Sequence, residues 1–127
     1  MGLILDTNAL SAIADGHQSA TKQFSRAHQV AIPVIVLGEY RFGIAQSRHQ
    51  RKYELWLEEL IACSEVLAVD EETAISYAVL RAQLKTSGTP IPSNDVWIAA
   101  LCRQHSLPLL SRDRHFDFIK GLQRLNW

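Results

Sequence analysis

The stretch Leu3-Ile4-Leu5-Asp6-Thr7-Asn8 joins three apolar residues directly to an aspartate. Because the apolar run is continuous rather than alternating, it predicts a short strand that is buried on both faces, as in parallel sheets. Asp6 follows this strand, and ligands of open parallel sheets bind at the carboxyl ends of the strands. The alternative is that Asp6 only caps the next helix, since aspartate is a preferred N-cap residue. The stretch therefore predicts a functional carboxylate or a helix cap.

The composition is typical of an ordinary globular protein. The chain has 127 residues, of which 47% are hydrophobic and 20% charged, which suits one domain over residues 1–127. The formal net charge is +0, so no overall basic field indicates a protein that coats nucleic acid. Cys63 and Cys102 have no metal-ligand spacing and are interpreted as reduced core thiols of a cytoplasmic protein. No apolar run approaches the roughly 18 residues of a spanning helix, so no membrane partner is expected.

Predicted strands alternate with predicted helices along the chain. Apolar runs predict strands at 3–5, 30–32, 66–69, 107–110 and 122–125, of which 66–69 is expected to be buried. Helical periodicity and capping residues predict helices at 7–14, 17–28, 34–46, 50–63, 71–86 and 95–105. The alternation predicts an α/β fold with a central, mostly parallel sheet flanked by helices.

Three acidic residues fall where the predicted elements meet one rim of the sheet. Asp6 and Asp113 follow predicted strands, and Asp95 opens a predicted helix. Such positions point at the rim where parallel sheets bind ligands. A fourth acidic residue, Glu39, lies within the predicted helix 34–46. These four residues are the candidates for a functional site.

Glu39 is the most informative of the four. Its neighbours three and four residues away on the predicted helix are all uncharged, namely Ile35, Val36, Phe42 and Gly43. A carboxylate on an apolar face is unfavourable unless it is paired or bound to a metal. The alternative is a buried ion pair with an arginine such as Arg41 or Arg48. Arg41 is only two residues away, so its side chain points elsewhere on the helix.

Asp95 also has a structural alternative. A carboxylate in the first helical turn interacts favourably with the helix dipole. Ser93 or Asn94 already supplies a cap, however, and the nearly continuous apolar run at 96–102 predicts that this helix is largely buried. The polar start of a buried helix should point at something that needs it, which favours a functional role for Asp95.

The fourth acidic position is contested within Ser111-Arg112-Asp113-Arg114-His115-Phe116-Asp117. Asp113 is preferred to Asp117 because it lies closer to the end of the predicted strand. The alternatives are a surface salt bridge between Asp113 and a neighbouring arginine, and a solvated turn for Asp117. His115 is close enough to Asp113 to touch a substrate, but it is interpreted as a surface histidine.

Several carboxylates without a histidine or cysteine cluster suit a hard cation. Magnesium prefers oxygen ligands and is commonly held by a few carboxylates together with substrate phosphate. Such a metal can activate water and neutralise charge that develops on a phosphate. The five histidines form no zinc spacing. The pattern therefore indicates phosphodiester hydrolysis.

The pattern resembles the PIN-domain ribonucleases, and more closely the toxin arm of VapBC-type toxin–antitoxin pairs. The resemblance covers essentially the whole chain. It is carried, in order, by Leu5-Asp6-Thr7-Asn8, Glu39, Ile91-Pro92-Ser93-Asn94-Asp95-Val96-Trp97-Ile98-Ala99-Ala100 and Leu110-Ser111-Arg112-Asp113-Arg114-His115-Phe116. The asparagine–aspartate pair before the apolar helix, followed by the serine–arginine–aspartate strand end, is its most specific part.

The resemblance implies a PIN-like fold and a magnesium- or manganese-dependent endoribonuclease. The metal-binding and catalytic positions of the family fall on Asp6, Glu39, Asp95 and Asp113. Ser111 matches the small polar position beside the metal, and Thr7 or Asn8 supports the first aspartate. Arg112, Arg114 and Arg41 are the candidates for contacts with the RNA backbone. The resemblance also implies a homodimer, and inhibition by a cognate antitoxin protein in a hetero-oligomer.

Two other functions compete with this hypothesis. The first is a PIN-like binding module whose acidic site is vestigial, against which the complete acidic set argues. The second is a metal-dependent nuclease or phosphatase that acts on DNA or a small phosphate ester. The sequence does not discriminate this second class from a ribonuclease.

Overall fold

Residues 2–127, the part of the chain that the computed structural model describes, form a five-stranded sheet covered by helices. Every strand pair is parallel, and the strand order is β3-β2-β1-β4-β5. The strands are β1 Gly2–Leu5, β2 Gln29–Pro33, β3 Glu65–Leu67, β4 Leu109–Leu110 and β5 Arg124–Leu125. The predicted α/β class with a parallel sheet is confirmed.

Six α-helices connect these strands within the described residues. They are α1 Thr7–Ala14, α2 Gln18–Arg26, α3 Val34–Ala45, α4 Gln50–Ala62, α5 Glu71–Thr86 and α6 Ser93–His105. A short 3-10 helix, Arg114–Phe118, lies between β4 and β5. The predicted bounds of α1 and α5 are confirmed to the residue. None of the helices in residues 2–127 has both the length and the apolar character that crossing a membrane requires.

Strand β1 forms the centre of the sheet, as its continuous apolar run predicts. Leu3, Ile4 and Leu5 are each at most 1% exposed. Ile4 lies in register with Ala31 of β2 on one side and with Leu109 of β4 on the other. Because strands pair with β1 on both sides and helices cover the sheet, the residue that follows β1 is placed at the middle of the carboxyl edge.

Two predictions about burial are wrong. The strand predicted at 66–69 is the edge strand β3, and Val66 and Val69 are 41% and 37% exposed. An edge strand pairs on one side only, so fewer neighbours cover its side chains. Cys102 is buried as expected, whereas Cys63 lies exposed at the end of α4.

Helix α6 begins two residues earlier than predicted. Pro92 occupies its N-cap position without a side-chain cap, so neither Ser93 nor Asn94 caps the helix as expected. Asp95 lies in the first turn, and the helix then continues into the core through Val96 and 98–102, all of which are buried. The predicted burial of this helix is confirmed, and it places the carboxylate of Asp95 at the carboxyl edge of the sheet.

Candidate active site

Asp6 is both a helix cap and a buried carboxylate. Its side chain is 5% exposed at the junction between β1 and α1. Oδ1 accepts a hydrogen bond from the backbone N–H of Thr7 over 2.8 Å. Oδ2 accepts from the Ser111 hydroxyl over 2.6 Å and from the Asn8 amide over 3.3 Å. The cap therefore occupies one carboxylate oxygen, while two side chains orient the other.

Ser111 joins the end of β4 to the end of β1. The residue is fully buried, and its Oγ accepts the backbone N–H of Asp113 over 2.9 Å while it donates to Asp6. Asn8 spans the same junction, because its Oδ1 accepts the backbone N–H of Arg112 over 3.2 Å. These bonds fix the loop after β4 against the start of α1, which brings Asp113 to the side of Asp6.

Glu39 reaches the same place from α3. The hydroxyl of Thr7 donates a hydrogen bond to Glu39 Oε1 over 2.8 Å. Neither Arg41 nor Arg48 forms an ion pair with Glu39 within residues 2–127, so the alternative of a buried ion pair is not observed. The expected apolar, buried surroundings are wrong in part, because Glu39 is half-buried and Phe42 is 71% exposed.

Asp95 and Asp113 meet around His115. His115 Nδ1 lies 3.4 Å from Asp95 Oδ2 and 3.1 Å from Asp113 Oδ1. One ligand atom from each of the three residues lies within 4.8 Å of the other two. The imidazole is half-exposed, as expected for a surface histidine. Its position between Asp95 and Asp113 was not predicted. Its place two residues after Asp113 was the only signal in the sequence.

Burial and mutual repulsion raise the pKa values of two of the acidic side chains, Asp6 and Asp95. Burial raises the pKa of Asp6 above its ordinary value, against the hydrogen bonds from Ser111 and Thr7, and the charges of Glu39 and Asp113 raise it further. Burial also raises the pKa of Asp95 to about 6; the charges of Asp6 and Asp113 add to this, whereas His115 opposes it. The four carboxylates therefore share one electrostatic environment.

The donor set fits a hard divalent cation. Asp6, Glu39 and Asp95 have no arginine or lysine within ion-pair distance in the described part of the chain, and His115 is the one basic partner of Asp95 and Asp113. Clustered carboxylates without compensating cations are unfavourable unless a metal or protons neutralise them. Carboxylate oxygens are the ligands that magnesium and manganese prefer.

The comparisons with known proteins agree with this architecture. The family model for the PIN domain matches residues 3–122. The chain belongs to the PIN domain family. It is 33% identical to Ribonuclease VapC5 from Mycobacterium tuberculosis over 120 residues, which cover 93% of this chain and 87% of that protein. It is 31% identical to Ribonuclease VapC1 from Rickettsia felis over 129 residues, or 98% and 96% of the two chains.

Solved structures of such proteins have the same fold. The DNA-bound VapBC from Salmonella typhimurium contains a chain with a TM-score of 0.87 and 27% identity, which covers 100% of this chain and 98% of that one. The FitAcB structure from Neisseria gonorrhoeae gives a TM-score of 0.84 and 28% identity, covering 98% and 96%. The resemblance to VapC-type PIN domains that the sequence motifs predicted is confirmed.

Within this PIN domain, Asp113 rather than Asp117 lies beside Asp6 and Asp95. The carboxylates of Asp6, Glu39, Asp95 and Asp113 are called the acidic cluster below. Asp117 accepts two hydrogen bonds from Arg124, Nε to Oδ1 over 2.8 Å and Nη2 to Oδ2 over 2.9 Å, and this ion pair holds the pKa of Asp117 below its usual range. Arg124 also donates to the backbone carbonyl of Ser111 over 3.0 Å. The sequence predicts no role for Arg124, because the pairing of Arg124 with Asp117 depends on the β4–β5 contact and leaves no local pattern.

The three arginines predicted to contact substrate differ in their surroundings. Arg41 is exposed on α3, and Arg114 is exposed at the start of the 3-10 helix. Arg112 is also exposed, but its backbone is fixed to Asn8 and its guanidinium lies over the ring of Trp127. Of the three arginines, Arg112 is therefore the one with a hydrogen-bonded connection to the site, through Asn8.

Proposed function

We propose that this PIN domain is a metal-dependent endoribonuclease that hydrolyses RNA phosphodiester bonds, with residues 1–127 acting as one domain. The observation that carries the proposal is the cluster of Asp95, Asp113 and His115 at the carboxyl edge of the sheet, together with the buried Asp6, on which the charges of Glu39 and Asp113 act. The names of relatives such as Ribonuclease VapC5 support RNA as the substrate. The raised pKa values of Asp6 and Asp95 support a cation at this edge.

The four carboxylates would hold Mg²⁺ or Mn²⁺ in this enzyme. A divalent cation bound there supplies an activated water nucleophile and neutralises the charge that develops on the phosphate. Ser111 and Asn8 keep Oδ2 of Asp6 oriented. Thr7 does the same for Glu39. No residue of the chain has to form a covalent intermediate.

His115 and the arginines complete the proposed division of roles. His115 lies between Asp95 and Asp113 and limits their mutual repulsion when it is protonated. Arg112, Arg114 and Arg41 supply cations on the exposed surface for RNA phosphates. Arginine suits this role because its planar fork of donors matches phosphate geometry.

The solved relatives support a role as the toxin of a type II toxin–antitoxin pair. They are structures of VapBC, FitAcB and FitAB, and the VapBC from Salmonella typhimurium and FitAB are bound to DNA. We therefore propose a cognate antitoxin as the protein partner, a homodimer of this chain within the complex, and action in the cytoplasm. Phe42, which is 71% exposed on the same helix as Glu39, offers apolar surface for such a partner.

The test compares substrates and metals with the purified chain. Labelled single-stranded RNA, single-stranded DNA and a generic phosphate ester are each incubated with magnesium, with manganese or with a chelator. The proposal expects cleavage of RNA alone, and only with metal. Cleavage of DNA or of the ester at a similar rate would favour the broader nuclease or phosphatase class. Bound metal without any turnover, or no binding of metal, would favour a vestigial binding module.

A further inference from the structure

Arg112 connects the acidic cluster to a second group of side chains. Its backbone N–H donates to Asn8 Oδ1 over 3.2 Å, and Asn8 Nδ2 donates to Asp6 Oδ2 over 3.3 Å. One hydrogen-bonded residue therefore separates the backbone of Arg112 from the carboxylate at the end of β1. Its exposed side chain extends to residues that have no part in the acidic cluster.

These residues are Trp127 and His17. The guanidinium carbon of Arg112 lies 4.7 Å from the centroid of the Trp127 ring, within the range of a cation–π contact. His17 Nε2 lies 3.3 Å from Arg112 Nη2, and the imidazole packs edge-on against the indole with the ring centroids 6.5 Å apart. Arg112, Trp127 and His17 together are called the guanidinium platform below.

The platform leaves the hydrogen-bonding edge of the guanidinium largely available. A ring that covers the face of the guanidinium does not use the N–H donors, which lie in its plane. A neutral imidazole accepts at only one nitrogen, and His17 Nδ1 also lies 3.5 Å from the backbone N–H of Ala20, which it caps. His17 therefore serves either α2 or Arg112, and does not satisfy the guanidinium.

Arg112 also lacks a carboxylate partner. No aspartate or glutamate forms an ion pair with it anywhere in residues 2–127. Arg124, on the neighbouring strand, shows the opposite case, because Asp117 and the carbonyl of Ser111 occupy its donors. An oriented, unpaired guanidinium beside a group of carboxylates is suited to an anion that those carboxylates would otherwise repel.

We propose that the guanidinium platform is a subsite for one phosphate of the RNA backbone, in which Arg112 contacts the phosphate while Trp127 and His17 are positioning residues. This inference rests on the proposed function. Because the side chain of Arg112 packs on Trp127 rather than among the carboxylates, the phosphate that it binds flanks the scissile one. The subsite therefore contributes to substrate binding and determines where the RNA strand enters the acidic cluster.

The contacts of Trp127 and Arg112 allow the aromatic face and the cation to be removed separately. The indole Nε1 is buried and has no hydrogen-bond partner among the described residues, so ring contacts position the side chain. Trp127→Phe keeps an aromatic face and removes no hydrogen bond, whereas Trp127→Ala removes the face. Arg112→Ala removes the cation, and Arg112→Lys keeps the charge without the planar fork. Arg103→Ala removes another exposed arginine, near the C-terminal end of α6, and is the matched control.

Binding is measured by fluorescence anisotropy with a labelled single-stranded RNA of mixed sequence, in chelator and over a range of salt concentrations. Arg112→Ala should weaken binding about tenfold, as expected for the loss of one charge-assisted contact. The slope of log affinity against log salt should fall by about 0.7, the value for one phosphate contact on a single strand. Trp127→Ala should shift both quantities in the same direction, and Trp127→Phe should restore them. Arg112→Lys should have an intermediate affinity and the wild-type salt slope, because it keeps the charge. Arg103→Ala should match the wild type.

Cleavage and stability separate this proposal from a purely structural role. With metal present, Arg112→Ala and Trp127→Ala should raise KM about tenfold and change kcat less than about twofold, because a flanking contact contributes uniform binding. Unchanged RNA affinity and salt slope in Arg112→Ala, with wild-type cleavage intact, would overturn the subsite alone. A lowered melting temperature as the only effect of Trp127→Ala would make the platform a structural tether. If the wild-type chain cleaves no RNA, the proposed function fails, and the subsite fails with it.

Discussion

The hydroxyl of Ser111 donates a hydrogen bond to Asp6 Oδ2 over 2.6 Å, although 105 positions separate the two residues in the sequence. Both residues are buried, since Ser111 is 0% exposed and Asp6 is 5% exposed. The same hydroxyl accepts the backbone N–H of Asp113. One small side chain at the end of β4 therefore orients the central carboxylate and fixes the loop that carries the fourth acidic residue.

Ser111→Ala should weaken metal binding and destabilise the fold together. The hydrogen bond from Ser111 lowers the pKa of Asp6, so its loss should raise that pKa further and disfavour the charged ligand. A buried carboxylate and a backbone N–H also lose a partner, which costs about 1–3 kcal/mol. Urea unfolding measures the stability, and a manganese titration of RNA cleavage measures the metal requirement. An unchanged manganese midpoint would show that Ser111 does not orient the ligand.

Asp113→Asn and Asp117→Asn form a matched pair that tests which aspartate completes the site. Asp113 lies 3.1 Å from His115 within the cluster, whereas Asp117 is paired with Arg124. Asp113→Asn should lower the cleavage rate about tenfold or more, because it removes a carboxylate from the metal site. Asp117→Asn should keep the wild-type rate and lose about 1 kcal/mol of stability, because it weakens a bidentate ion pair that is only partly exposed. The reverse pattern of rates would assign the role to Asp117.

The stability of the metal-free protein should depend on pH through Asp95. Its pKa is raised from 3.8 to about 6 in the folded state, so the neutral form is the one that folding favours. The stabilisation is fully present below the unfolded pKa of 3.8 and is lost as the pH rises through about 6. The melting temperature in chelator, measured from pH 4 to 7.5 (roughly the two limits of this titration), should fall less with pH in Asp95→Asn than in the wild type.

Metal should reverse this effect above pH 6, about where the carboxylate ionises. A cation that binds the folded chain and not the unfolded one stabilises the fold in proportion to the logarithm of its concentration. Manganese should therefore raise the melting temperature of the wild type at neutral pH and have a smaller effect on Asp95→Asn. Equal shifts for the two proteins would place the metal elsewhere.

Much of the fold could be predicted because local patterns and the tertiary structure agree. The buried run at 3–5 became the central strand, and the apolar run after Asp95 became a buried helix. The prediction at 66–69 was wrong because an apolar run does not show whether neighbours will cover it, and β3 lies at the edge of the sheet. Strand order depends on contacts between distant segments, which periodicity does not encode.

The candidate site, like the fold, could be predicted from the sequence only in part. Asp6, Asp95 and Asp113 follow or begin elements whose positions the sequence predicted, so their meeting at one edge could be anticipated. The roles of His115 and Trp127 could not, because each depends on partners that the fold brings together through space. The expected apolar surroundings of Glu39 were judged from its own helix alone, whereas its observed partner, Thr7, lies on another.

The most direct measurement is the RNA cleavage rate of Asp6→Asn beside that of Asp70→Asn. Both aspartates are N-caps, Asp6 of α1 and Asp70 of α5, and asparagine preserves the size and capping ability of each. Only Asp6 lies among the four carboxylates. Asp6→Asn should lower metal-dependent cleavage by about 100-fold or more while the protein stays folded, since even outer partners of metal ligands contribute about 10- to 100-fold. Asp70→Asn should cleave RNA at the wild-type rate. Cleavage by folded Asp6→Asn at the wild-type rate would contradict the assignment of the acidic cluster as the nuclease site.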